Sequence, residues 1–194
     1  MKREEPQSAV LQDPDNAQKY ELALSYIEEQ RNSEALELLD GCIALKSRDA
    51  ALYYARGVTY LSMGNYRKAG WDLLRTIALD RAFMPAYKHL GFVQLTLGKE
   101  ENGLKTLQQA IELDPGYADL YSVRGDIYLD LGEFDKAREA FEMAVELDPQ
   151  NPEFHYKTAL YYLSRGEMQG LKREYELLKT LDADMAEQIG SLFF

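Results

Sequence analysis

Five small residues recur at a fixed interval of 34: Ala23, Gly57, Gly91, Gly125 and Ala159. A period of this length marks a row of stacked supersecondary units, because one unit alone cannot bury its own apolar face. Counting each small residue as position 8 starts the units at Asn16, Ala50, Met84, Ala118 and Pro152. Other positions then agree. Position 11 holds Tyr26, Tyr60, Gln94, Tyr128 and Tyr162. Position 15 holds Gln30, Gly64, Gly98, Gly132 and Gly166. Position 20 holds Ala35, Ala69, Gly103, Ala137 and Leu171, and position 24 holds Leu39, Leu73, Leu107, Phe141 and Tyr175. Position 30 is leucine throughout: Leu45, Leu79, Leu113, Leu147 and Leu181.

Positions 4 to 14 and 18 to 31 carry apolar residues at helical spacing, with a glycine near position 15 to end the first run. Two helices per unit follow. Small residues at positions 8, 20 and 27 stand where two helix backbones approach closely. Asp114-Pro115 and Asp148-Pro149 end second helices, since Pro disfavours the α conformation in the residue before it. Met185, Ile189 and Leu192 form one stripe over residues 184–194, which predicts a final helix capping the fifth unit. Residues 1–15 precede the first unit. Within them Ala9-Val10-Leu11-Gln12-Asp13-Pro14 matches the pattern of Ala144–Pro149, so the segment reads as a short helix or as the stub of a further repeat.

These positions resemble the tetratricopeptide repeat family over residues 16–183. The fourth unit is the nearest, with Tyr121, Gly125, Tyr128, Gly132, Phe134, Ala137, Phe141, Ala144 and Pro149. The resemblance implies an all-α, right-handed superhelical solenoid of antiparallel helix pairs. Its five repeats run 16–49, 50–83, 84–117, 118–151 and 152–183, followed by the capping helix. The first and last repeats depart most, at Gln30, Asn32 and Leu171, as terminal repeats do.

The resemblance further implies an adaptor whose first helices line a concave groove at positions 2, 5, 6, 9, 12 and 13. Position 5 supplies Tyr20, Tyr54, Lys88, Ser122 and Tyr156. Position 9 supplies Leu24, Val58, Phe92, Asp126 and Leu160. His89 and Lys157 stand at position 6, and Asp119 at position 2. Tyrosine offers large contact area with few rotors and one polar handle, which suits a binding surface. Position 12 (Ile27, Leu61, Leu95, Leu129, Leu163) reads either as part of an apolar groove wall or as core packing between units. The partner so implied is a peptide or helix with an apolar stripe and a basic residue opposite Asp126. A two-carboxylate clamp known in this family is missing, because Lys88 is followed by Phe92, Val123, Glu153 and Lys157 at the positions that matter.

A second surface emerges from comparing units. Positions 22 and 25 are polar or charged in four units, but Trp71 and Leu74 in the second, with Ala78 a turn further. Exposed Trp is enriched among interface hot spots. The patch reads as a homodimer interface or a partner dock, against local burial under the N-terminal segment.

Charge and composition narrow the function. Lys plus Arg is 22 and Asp plus Glu is 33, a net charge of −11, which argues against nucleic acid and anionic membranes. One cysteine and two histidines offer no disulfide and no zinc set. Cys42 takes a small-residue core position, His155 an aromatic packing position, and Arg56 and Arg124 are placed to pair with acids of an adjacent unit. Asp126 and Asp130 share a helix face as a solvated acidic pair. No phosphate loop, nucleophile elbow or metalloprotease motif occurs, so neither catalysis nor a cofactor is expected. The first residues carry no apolar export signal and no run is long enough to span a bilayer, so a cytoplasmic location is expected.

Overall fold

The computed structural model describes residues 13–45 and 48–193. The question of a helix or stub across residues 1–12 lies outside the described residues. Eleven helices and no strands are present among the described residues, which are 83% helical. They are α1 (Pro14–Glu28), α2 (Asn32–Leu45), α3 (Ala50–Ser62), α4 (Tyr66–Leu79), α5 (Met84–Thr96), α6 (Glu100–Leu113), α7 (Ala118–Asp130), α8 (Phe134–Leu147), α9 (Pro152–Arg165), α10 (Met168–Leu181) and α11 (Ala183–Phe193). The chain forms two compact units, one up to Lys99 and one from Glu100, so the division falls between α5 and α6.

Helix starts and stops follow local chemistry. Asp13, Asp49, Asn65 and Asn151 cap α1, α3, α4 and α9, each accepting from backbone N–H groups of the first turn. Pro14, Pro85 and Pro152 sit in first turns, where a missing N–H costs nothing. The first helices of the second to fifth repeats therefore begin at position 1, three residues before the apolar spacing signals. On α3 and α9 that opening turn is built by the caps Asp49 and Asn151, which hydropathy does not report, whereas the side chains of Phe83 and Tyr117 before α5 and α7 make no capping hydrogen bond.

The first helix of every repeat ends alike. Gly64, Gly98, Gly132 and Gly166 adopt φ of 65–72°. The following N–H donates back to the carbonyl five residues earlier, as in Asn65 to Tyr60 and Glu133 to Tyr128, both 2.8 Å. Gln30 does the same job with φ 58° and Arg31 N–H on Tyr26 at 2.8 Å. A side chain carries a left-handed penalty that glycine avoids. Gln30→Gly is therefore expected to raise stability by about 0.5–1 kcal/mol in urea unfolding. A loss of stability would show that the Gln30 side chain makes a compensating contact.

In the first unit, Ala23, Leu39, Cys42, Leu52 and Ala55 form one buried cluster, and Ala69, Leu73, Ala86, Leu90 and Val93 another. Cys42 is buried, as its position implies, and burial pushes its thiol pKa up. Arg56 ties three helices: its guanidinium donates to both oxygens of buried Asp72 on α4 at 2.8 Å and to Asp40 on α2 at 2.6 Å. It thus pairs with its own repeat as well as the preceding one.

In the second unit, Ala137, Phe141, Ala159, Tyr161, Tyr162, Leu171 and Leu178 pack with Ala186 and Ile189 of α11. The final helix therefore forms and caps the fifth repeat, but its stripe is turned. Ala186 and Ile189 are buried, whereas Leu192 is 61% exposed. The inner face follows the i, i+3 pair, and Leu192 lies beyond it near the helix end. His155 is buried with both ring nitrogens engaged: Nδ1 lies 2.7 Å from Glu174 Oε2 and Nε2 3.0 Å from the Pro149 carbonyl. Tyr121 and Tyr87 at the same repeat position donate their hydroxyls to the carbonyls of Pro115 and Arg81, also six residues upstream. His155 thus replaces a tyrosine without losing the donor.

Candidate functional site

The residues expected to line a groove divide between the two units, and each set has its own character. In the first unit they come from α1, α3 and α5. Tyr20 and Leu24 on α1 are half-buried against the cluster around Leu39 and Leu52. Burial, aided by the nearby Asp49 carboxylate, pushes the Tyr20 hydroxyl up to about 12, so it stays a neutral donor. Val58 is half-buried on α3. Tyr54, also on α3, lies 4.7 Å from the Phe83 ring and is stacked on His89 of α5 at 5.6 Å. Phe92 meets Tyr66 edge-on at 6.5 Å and keeps 41% of its surface exposed. Lys88 is half-buried on the same helix as His89 and Phe92.

The result is an aromatic surface already packed in place. Offset and edge-on ring pairs of this kind fix side chains beyond simple area burial. Phe83 and Tyr66 take part in it, though sequence spacing did not mark them: Phe83 precedes α5 and Tyr66 opens α4. Their only sequence signal is being aromatic at helix starts.

The second unit is different. Ser122 is 3% exposed and so cannot offer its hydroxyl to a partner, which corrects its place in the groove. The small side chain sits on a helix face that neighbouring elements cover. Asp126 is also taken. Lys157 Nζ on α9 donates to Asp126 Oδ2 on α7 at 2.7 Å, with each side chain about a quarter exposed. The basic group expected from a partner is supplied by the chain itself. Burial raises the Asp126 carboxyl above its ordinary range more than Lys157 lowers it. Tyr156 and Leu160 are half-buried against the core of this unit, and Asp119 is half-buried at the start of α7. Asp130 remains exposed, so the two acids of α7 are a salt-bridged residue and a solvated one.

The patch on α4 stands as the sequence suggests in one respect: Trp71 is 78% and Leu74 52% exposed, with Ala78 exposed beside them. Arg124 finds no acid among the described residues. Its guanidinium lies 4.8 Å over the Tyr121 ring, and its buried Nε has no hydrogen-bond partner. Among the described residues, no group of three or more His, Cys, Asp or Glu side chains is arranged to hold a metal ion. No described helix is long and apolar enough to cross a membrane.

Family models described as tetratricopeptide repeats match residues 20–87, 85–117 and 106–139, and one described as a TPR repeat matches residues 125–166. No curated protein matches the sequence. Solved structures do match. A thermophilic TPR protein of Thermus thermophilus is 25% identical, with a TM-score of 0.78 over 90% of this chain and 97% of the other. MamA of Desulfovibrio magneticus is 20% identical, with a TM-score of 0.71 over 86% and 96%. YrrB, a TPR protein with an unusual peptide-binding site, is 20% identical, with a TM-score of 0.60 over 89% and 90%.

Proposed function

Because the chain belongs to the tetratricopeptide repeat family, we propose that it is a protein-binding scaffold that holds a partner segment against the first helices of its repeats. The family and fold serve in general as non-enzymatic platforms for protein–protein contact. Here the contact surface is assigned to Tyr20, Leu24, Tyr54, Val58, Lys88, His89 and Phe92 on α1, α3 and α5. The observation that carries this is Phe92, a large apolar side chain left 41% exposed beside rings that are already packed. A site built this way loses little rotor entropy when a partner arrives. The partner is an apolar peptide or helix. A basic residue is not required of it at Asp126, which Lys157 already holds. The peptide-binding site of YrrB, a protein of similar fold, supports this reading.

The test compares wild type with Tyr54→Ala/Phe92→Ala as baits in a lysate of the source organism. A protein retained by wild type and lost from the variant, with unchanged circular dichroism, is the expected outcome. Equal retention by both moves the site away from these helices.

A second reading is favoured by one observation, the 78% exposure of Trp71. It makes α4 a further contact surface, for self-assembly or for docking into a larger complex.

A further inference from the structure

We propose that the exposed face of α4 docks an acidic, apolar-anchored segment of another protein. This rests on the second reading above, that Trp71 marks a contact surface, and adds the chemistry of what covers it.

The residues of α4 that face water are Arg67, Lys68, Trp71, Leu74, Arg75 and Ala78. At 100° per residue they fall within an arc of roughly 120°, and at 1.5 Å per residue they run for about 16 Å. Trp71 and Ala78 form the middle of this stripe, with Leu74 along one edge. Arg75 and Lys68 flank the other edge, and Arg67 lies at the N-terminal end. The stripe is apolar and cationic, with no carboxylate. The one acid inside α4, Asp72, points inward and is held by Arg56.

Such a face is out of character for this chain, whose net charge is −11. The exposed faces of α2 and α8 carry Glu34, Glu37 and Asp40, and Asp135, Glu139, Glu142 and Glu146. The cations of α4 make no ion pair with any described residue. Lys68 lies 5.0 Å over the Tyr60 ring and Arg75 5.7 Å from the Tyr53 ring, contacts that orient the heads without neutralising them. An apolar strip of three side chains is too small to fold against on its own account, but it suits an anchor with charge beside it.

Charge decides among occupants. A second copy packing α4 against α4 would set Arg67, Lys68 and Arg75 against their own kind, which is unfavourable. A nucleic acid or an anionic membrane would meet three cations on a chain of net −11, weak support for affinity that depends on phosphate neutralisation. A peptide with Leu or Phe on one face and Glu or Asp along its edge satisfies both parts of the stripe.

Trp71 is the chain's sole tryptophan, so its emission reports directly on this face. The experiment titrates the full chain with a synthetic amphipathic helix carrying Leu and Phe at i, i+4 and i+7 and Glu on the flanks. The expected result is a saturable blue shift of Trp71 emission. Affinity falls at least about tenfold in Arg67→Glu/Arg75→Glu, and also at high salt. A second peptide with Lys in place of Glu is expected to give no shift. Equal shifts with both peptides keep the contact surface but overturn its acidic specificity. A shift with protein concentration alone makes the occupant a second copy. A shift with phosphatidylglycerol vesicles but not with the acidic peptide makes it a membrane. Emission already blue in the full chain, and red-shifted on deletion of residues 1–12, makes it the chain's own N-terminal segment. No shift under any condition overturns the contact surface itself.

Discussion

Replacing His155 by Phe is expected to cost about 2–4 kcal/mol of folding stability, because two buried acceptors, the Glu174 carboxylate and the Pro149 carbonyl, each lose a hydrogen-bond partner. His155 and Glu174 are each only 2% exposed. The Pro149 carbonyl can only accept, so Nε2 must donate to it, and Nδ1 then faces the Glu174 carboxylate. Phe fills the space but leaves that carboxylate buried with Arg173 alone, whose side chain is largely in water. It also leaves the Pro149 carbonyl without its donor. The cost arises from the two acceptors left short of a donor, so most of it should disappear when Glu174 is removed and a donor to the Pro149 carbonyl is restored. His155→Tyr/Glu174→Leu restores a hydroxyl donor, as in Tyr121 and Tyr87, and an apolar residue opposite. That double variant is expected to recover most of the loss in urea unfolding followed by circular dichroism. A single-variant loss below about 1 kcal/mol would show that Glu174 finds water or another partner.

The second large effect separates two glycines that look equivalent. Gly125 and Gly57 share position 8, yet a Cβ at Gly125 would lie 2.6 Å from the Phe141 ring, whereas at Gly57 its nearest neighbour is 3.4 Å away. Gly125→Ala is expected to lower stability by about 1–3 kcal/mol, because a buried ring must move. Gly57→Ala is expected to leave stability unchanged or raise it by up to about 1 kcal/mol, since Ala is the better helix former. Phe141→Leu should relieve much of the Gly125→Ala cost. Thermal unfolding of the three variants decides the matter. Equal effects at both glycines would mean that the backbone, not Phe141, sets the requirement.

The same contrast shows what is legible in a repeat sequence. Periodicity locates the ten repeat helices and the final cap, because small residues and left-handed glycines are repeated at matched positions. The first helices α3 and α9 start three residues before the apolar spacing because Asp49 and Asn151 build those turns by hydrogen bonding. Site residues are less legible. Ser122 shares position 5 with Tyr20 and Tyr54, but a small side chain there ends up covered. Asp126 and Lys157 are 31 residues apart, and their pairing depends on how α7 and α9 pack. The cationic character of α4 is spelled out in Arg67, Lys68 and Arg75. A comparison of equivalent positions between units singles out Trp71 and Leu74 and passes over such neighbours along one helix.

Tyr87, Tyr121 and His155 each reach back six residues to a carbonyl of the preceding loop. The connection between repeats is thus gauged from the repeat that follows it, like a hinge pin cut to one length. Whole units can be added or deleted without disturbing the gauge. A single residue inserted into the loop detaches the pin and leaves a carbonyl stranded. Duplication of complete modules is therefore the least disruptive way for this architecture to grow, and drift in loop length the most disruptive.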